Sequence, residues 1–324
     1  MRLKKAFNLR AAAIAVLCAV AMLAVLAGCQ QQETSGSKSD EIVSEASDVK
    51  IQEPFYALLV GNDSRTGTVE ISKSEYADGN ARSDTMILAR IDPLTYTVTL
   101  ITVPRDTAAS VDGSTTKINA AYQSGGIEAS VDQVEQLTGA QIDYYFDLGF
   151  VTFQKFIDAM GGVSVDVPIS MEMQDIVGGD DISVDAGTQD LNGAEALVVA
   201  RTRKAFATDQ DACRQIQDRA IVASVIGKVA QDASMVDMAV TALVDNAQTS
   251  MNADELKELV SSFAQHADQL TIYTATGPYA GDIDAESGLW LAIRDEETWR
   301  QIIEVADAGE DPSGIVALPQ IIPA

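Results

Sequence analysis

Arg82-Ser83-Asp84-Thr85-Met86-Ile87-Leu88-Ala89-Arg90-Ile91-Asp92-Pro93-Leu94-Thr95-Tyr96-Thr97-Val98-Thr99-Leu100-Ile101-Thr102-Val103-Pro104-Arg105-Asp106-Thr107 is the stretch on which the fold turns. Two β-rich apolar runs, 86–91 and 98–103, are joined through Asp92-Pro93, where proline presets the turn geometry, so the pair predicts a hairpin-like connection. Charged groups stand at the outer ends of both runs, Arg82 and Asp84 before the first and Arg105 and Asp106 after the second. Upstream, 55–60 predicts a buried strand ending in the turn Gly61-Asn62-Asp63-Ser64. Downstream comes Lys117-Ile118-Asn119-Ala120-Ala121-Tyr122. Tight groups of Arg, Lys and Asp beside apolar strands are what a site for phosphate and a divalent cation requires.

Further out, the spacing predicts a helix over 128–137 stopped by Gly139, a strand over 144–148, a helix over 150–160 ended by Gly161-Gly162, and a strand over 163–167 before Pro168. A Gly- and Asp-rich loop follows at 178–181, then a helix over 194–200 opened by Asn192-Gly193 and a long helix over 214–229. The remainder predicts helices over 236–246 and 253–266, a strand over 270–274 and a closing helix over 296–306. Interleaved strands and helices argue a layered α/β domain. No internal repeat and no Pro-rich break interrupts 51–308, which reads as one domain with 309–324 as a C-terminal tail.

The first residues are an address. Arg2, Lys4, Lys5 and Arg10 precede an apolar run over 11–27, and Leu26-Ala27-Gly28-Cys29 closes it. The stretch 1–28 is expected to be a signal peptide of lipoprotein type, with Cys29 lipid-modified after a motif that resembles a bacterial lipobox; an uncleaved membrane helix is the alternative. Residues 29–50, rich in Gln, Ser, Asp and Glu, are expected to be a disordered tether. The domain would then stand on the extracytoplasmic face of the membrane.

The full chain carries a formal charge of −26, and loss of the four basic residues of 1–28 takes it to −30. A nucleic-acid partner is disfavoured. Screening over about 8 Å still permits a small cationic pocket within such an acidic surface. With Cys18 in the signal peptide and Cys29 as the lipid site, Cys213 has no intramolecular partner and reads as a small semi-buried residue. One histidine, His266 in a polar helical stretch, makes a Ser-His-Asp triad, a Cys-His pair or a His-ligated zinc improbable.

Asp63 and Asp84 fall at neighbouring strand ends, where ligands gather in α/β sheets, and two carboxylates suit magnesium (or manganese), whose coordination is completed by waters and phosphate oxygens. Arg82 and Arg105 flank them, and arginine offers phosphate a planar fork of donors. Arg105 pairing with Asp106 is the plain structural alternative. Arg201-Thr202-Arg203 directs both arginines to one side if the chain is extended there, and Asp209, Asp211 and Arg214 follow.

In this order the pieces resemble the LytR-CpsA-Psr family of cell-wall phosphotransferases: Leu59-Val60-Gly61-Asn62-Asp63-Ser64-Arg65, Arg82-Ser83-Asp84-Thr85, Val103-Pro104-Arg105-Asp106-Thr107, Lys117-Ile118-Asn119-Ala120, Gly161-Gly162-Val163, Val165-Asp166-Val167-Pro168, Leu191-Asn192-Gly193 and Arg201-Thr202-Arg203. The resemblance implies a three-layer α/β/α sandwich around a mixed central sheet with an apolar groove for a polyprenyl chain. It implies transfer of a phosphoglycan from a polyprenyl-pyrophosphate carrier to peptidoglycan. The expected roles are Asp63 and Asp84 for the metal; Arg82, Arg105, Lys117, Asn119, Arg201, Arg203, Arg214 and Arg219 for pyrophosphate; and Arg105, Asp106 and Asp211 for catalysis, with Asp106 or Asp211 taking the acceptor proton. One departure stands out: the family commonly has a second arginine where this chain has Gln217, which weakens the expected phosphate clamp unless Arg219 substitutes. A pyrophosphate-cleaving hydrolase and a non-catalytic wall-polymer binder remain open at this level. The stripe Phe153, Phe156, Ile157 and Met160 reads as ordinary core.

Overall fold

The computed structural model describes residues 51, 53–69 and 81–324. The expected signal peptide, the tether and Cys29 lie outside the described residues. Among those described, no helix is long and apolar enough to cross a membrane.

In chain order the strands are β1 (Phe55–Asn62), β2 (Ser83–Asp92), β3 (Thr97–Thr102), β4 (Ala108–Val111), β5 (Ser114–Lys117), β6 (Tyr144–Leu148), β7 (Val163–Val167), β8 (Met171–Gln174), β9 (Asp181–Val184), β10 (Gly187–Leu191), β11 (Gln248–Thr249), β12 (Thr271–Thr276), β13 (Gly281–Ile283) and β14 (Trp290–Ala292). The helices are α1 (Ala120–Thr138), α2 (Phe150–Ala159), α3 (Gly193–Arg201), α4 (Gln210–Gln231), α5 (Val236–Asn246), α6 (Ala253–Gln265) and α7 (Glu296–Asp307). A six-stranded sheet runs in the order β11-β6-β1-β2-β3-β12. Its centre is antiparallel, β1 to β2 and β2 to β3, while β6 pairs with β1 and β12 with β3 in parallel.

The central strands are apolar on both faces because both are covered. Tyr56, Leu58, Val60, Met86, Leu88, Ile101 and Val103 pack against α1 and α7. The alternate set, Phe55, Ala57, Ile87, Ala89, Val98 and Leu100, turns toward α4, α5 and α6. Alternation of side chains along each strand thus divides one apolar run between two cores, and three layers result. A third cluster ties α2, α3 and the start of α4 to β7, β9 and β10.

The hairpin turn at Asp92 forms as expected: its Oδ1 accepts from Leu94 N at 2.9 Å and Thr95 N at 3.2 Å. Several elements differ from the sequence expectation. The short pairs β4–β5, β8–β9 and β13–β14 and the strand β10 carry too few alternating apolar residues to be read as strands. Helix α1 starts at Ala120, well before 128, and is kinked where Gly125 and Gly126 leave helical geometry. The tail beyond 308 is built into the fold. Ile315 and Val316 pack on the α1/α7 core, Ile321 on the third cluster, and Pro323 bridges Phe206.

Candidate active site

The mixed sheet brings the charged motifs to one edge. Asp63 follows the end of β1, Asp84 and Thr85 begin β2, and Arg105 lies just beyond β3. Antiparallel pairing of β1 with β2 sets Gly61 against Thr85 and Asn62 against Ser83, with a bulge at Gly61/Asn62 that redirects the chain into the Asp63 turn. Arg201 closes α3, Thr202 is extended, and α4 opens with Asp211, Arg214 and Asp218 at helical spacing.

Arginines and carboxylates interlock there. Arg105 Nη1 donates to Asp84 Oδ1 at 2.8 Å, and its Nε lies 3.1 Å from Asp211 Oδ1. Asn119 Nδ2 reaches the same Asp84 oxygen at 3.3 Å. Arg214, almost fully buried, donates to Asp84 O at 2.8 Å, to Thr85 Oγ1 at 2.8 Å and to Asp218 Oδ2 at 2.5 Å. Burial works against the Arg214 charge, yet Asp218, Asp211 and Asp84 together hold its pKa above that of ordinary arginine. Burial also pushes the Asp218 carboxyl up to about 6, against the pull of Arg214 and Thr85.

Asp211 resists its burial because Arg214, Arg105 and Arg203 hold its pKa below the usual carboxylate value. That corrects one expectation. A carboxylate with two hydrogen bonds from Arg214 and one from Gln215 is a weak base, and its work is to fasten Arg105 and Arg214 in place. Asp106 is not the main partner of Arg105, whose Nε is 4.0 Å away; it pairs with Lys117 at 2.8 Å.

Asp63 is raised by burial and by the charge of Asp84, and lowered by the bond its Oδ1 accepts from Arg82 N at 2.7 Å. Asp63 therefore senses the charge of Asp84 across the strand ends. A network absent from the sequence reading fixes the turn: Asn62 Nδ2 donates to Asp147 Oδ1 at 2.8 Å, Tyr122 Oη donates to Asp147 Oδ2 at 2.6 Å, and Asn62 Oδ1 accepts from Ser64 N at 3.1 Å.

Behind these charges lies a cavity of about 430 Å³. Its walls come from the sheet face carrying Ile87, Ala89 and Leu100 and from α2, α4, α5 and α6; Arg65, Asp84, Arg105, Arg201, Arg203 and Arg214 border it as well. The geometry is an apolar slot with a cationic mouth. Phe153, Phe156 and Ile157 line it, contrary to their reading as plain core, whereas Met160 belongs to a separate cluster. Arg65 and Arg201 also lie 5.2 and 4.8 Å from the Phe150 ring centroid, a cation–π arrangement that marks Phe150 where mouth meets slot.

The expected pyrophosphate residues separate into groups. Arg105, Arg201, Arg203 and Arg214 border the cavity. Arg82 is exposed and contributes its backbone N–H to Asp63; Lys117 and Asn119 act on Asp106 and Asp84. Arg219 does not replace the missing arginine. On α4 the cavity face carries Arg214, Asp218, Ile221 and Val225, and residue 219 is turned by about 100° from 218. Arg219 is buried instead against β3, donating to Thr102 Oγ1, and Gln217 is likewise buried off the cavity.

Residues 22–304 match the LytR_cpsA_psr family. The chain belongs to the LytR-CpsA-Psr family. Among its relatives, a polyisoprenyl-teichoic acid–peptidoglycan teichoic acid transferase, TagU of Halalkalibacterium halodurans, is 32% identical over 273 residues, covering 82% of each chain. The crystal structure of Bacillus subtilis TagV superposes with a TM-score of 0.64 at 27% identity, over 78% of this chain and 96% of that one. A structure of TagT bound to LIIa-WTA shares the fold, with a TM-score of 0.62 at 20% identity over 81% of this chain and 92% of that one. The LytR-CpsA-Psr fold is thus a three-layer mixed-sheet domain here as in those relatives.

Proposed function

We propose that this chain transfers a phosphorylated wall glycopolymer from a polyprenyl-pyrophosphate carrier to a sugar hydroxyl of peptidoglycan. The observation that carries the reading is the apolar cavity of about 430 Å³ opening onto Arg105, Arg201, Arg203 and Arg214. The slot suits a hydrocarbon chain, and the cluster suits the two phosphates attached to it. In the reaction the acceptor oxygen bonds to the proximal phosphorus, the bond to the bridging oxygen breaks, and polyprenyl phosphate leaves.

Such transfer needs positioning and charge neutralisation more than covalent participation. Arg105, held by Asp84 and Asp211, presents donors that need no reorganisation as charge develops, while Arg214, whose N–H groups are all taken by Asp84 O, Thr85, Asp211 and Asp218, adds positive charge behind it. Arg203, with its side chain 43% exposed and 3.9 Å from Asp211, is the more loosely held member. Asp106, held by Lys117, is the remaining candidate to accept the proton of the incoming hydroxyl.

Asp63 and Asp84 fit a magnesium ion. Their mutual repulsion is relieved by a cation, and every bond from described residues to the Asp84 carboxylate falls on Oδ1. When bound, the ion neutralises phosphate charge. We place the domain outside the cytoplasmic membrane, held there by lipid on Cys29.

The test uses a lipid-pyrophosphate oligosaccharide labelled in its proximal phosphate, with peptidoglycan as acceptor. Label moves to the wall with the wild-type chain and stays behind with Arg105→Ala or Asp84→Asn; chelation abolishes transfer and magnesium restores it. Label released to water instead of the wall overturns transfer in favour of hydrolysis.

A further inference from the structure

The hairpin of β13 and β14 exposes more apolar surface than its own folding accounts for. Ile283 is 65% exposed, Trp290 41%, Leu289 37% and Ile293 59%. Ile283 and Trp290 are direct cross-strand partners, so their side chains stand on the same face of the ribbon. Leu291, buried at 6%, anchors the opposite face. Exposed apolar clusters of this kind on a folded chain commonly mark binding surfaces.

The hairpin is joined to the reaction centre by backbone bonds. Ala292 N donates to Asp106 O at 2.9 Å, and Thr107 bridges Ala292. Arg105 borders the lipid cavity, but no residue of 106–118 or 280–293 does. The hairpin therefore adjoins the Arg105-Asp106 turn without lining the slot. In-line displacement at phosphorus requires the acceptor to enter opposite the leaving group. With the leaving polyprenyl phosphate on the cavity side, entry is from outside the slot, and the hairpin is an exposed element outside the slot that is bonded to this turn.

We propose that the β13–β14 hairpin is the docking platform for the acceptor glycan, with Ile283 and Trp290 packing against amino-sugar rings and delivering a hydroxyl to the Arg105-Asp106 turn. The proposal rests on the transferase reading. Charge selects the occupant. Asp282, Asp284 and Glu286 lie on the same hairpin in a chain of net charge −26, and repel an anionic phospholipid surface. A polysaccharide answers both features, because a pyranose ring has an apolar C–H face to lie on indole and hydroxyls to bond the carboxylates at the rim.

Trp290 reports on its own site, since the chain has two tryptophans and Trp299 is fully buried. The full-length protein in detergent is titrated with soluble glycan strands of N-acetylglucosamine, uncharged because they lack the lactyl carboxylate of muramic acid, and tryptophan emission is followed. The expected result is a saturable blue shift that Trp290→Phe abolishes. Ile283→Ser, which keeps the reporter, raises the apparent Kd at least fivefold and leaves the KM for the lipid donor unchanged. No emission change with strands, or an unchanged Kd in Ile283→Ser, overturns the platform. So does a Trp290 response to phosphatidylglycerol vesicles without one to strands, which assigns the hairpin to the membrane. A wild-type chain that binds strands through Trp290 yet transfers no labelled phosphate supports the platform and removes the transferase reading instead.

Discussion

At the residue scale, the site is an arginine cluster whose cost of assembly is met by carboxylates. Arg105 touches Asp84 and Asp211 through different nitrogens, so its fork geometry matters as well as its charge. Arg105→Lys keeps the charge and loses the fork. We expect it to cut transfer by about tenfold to a hundredfold, measured as initial rate with the labelled donor. Asp218 gives a pH signature. Its carboxyl is pushed from 3.8 to about 6 by burial, so the folded chain binds this proton more tightly than the unfolded one. Its contribution is fully present below about pH 4 and is lost as pH rises through about 6. Comparing thermal unfolding of the wild type with Asp218→Asn, the Tm of the wild type should fall relative to the variant across that window. A constant offset between the two curves would show that Asp218 does not titrate there.

At the element scale, close approach of helices aims the arginines. Gly193, the first residue of α3, lies so near α2 that a Cβ there would meet Gln154 O at 2.3 Å. The same helix ends in Arg201, so its position on α2 sets the position of a mouth residue. Gly193→Ala is expected to destabilise by about 1–3 kcal/mol through overpacking, read from the urea midpoint, and to reduce transfer by displacing Arg201. The start of α3 was readable from Asn192-Gly193, and in the structure Asn192 Oδ1 accepts from Glu195 N at 3.0 Å while the Glu195 carboxylate accepts from Asn192 N, a capping box. The hairpins β4–β5 and β13–β14 were not. Ser114-Thr115-Thr116-Lys117 has no apolar face to alternate, and its pairing depends on docking beside the Thr107 turn.

At the scale of the whole molecule, the decisive feature is that α4, α5 and α6 stand off the sheet far enough to leave a slot. A cavity that serves a lipid chain is filled without harm to folding, unlike a core. Val260→Trp, pointing bulk into the slot from α6, is expected to raise the KM for a long-chain polyprenyl donor at least about tenfold, or about 1.4 kcal/mol. The KM for a short-prenyl donor and the unfolding midpoint stay unchanged. Equal losses for both donors would mean that the slot does not hold the chain.

The sequence by itself determined five strands of the central sheet, the charged strand ends and the family, since these rest on alternation, turn chemistry and residue order, all local properties of the chain; the edge strand β11 and the strand order came from the tertiary structure. It also marked Gln217 as the missing arginine. Only the tertiary structure decided which charges meet. It gave Asp211 to the arginines and Asp106 to Lys117, and turned Arg219 away from the cavity onto Thr102. It likewise made Phe153 and Phe156 part of the wall of an apolar slot, a use identical in sequence to core. The reason is physical: apolar periodicity states that a face is covered, but whether neighbouring helices close upon it or stand apart depends on packing between residues distant along the chain.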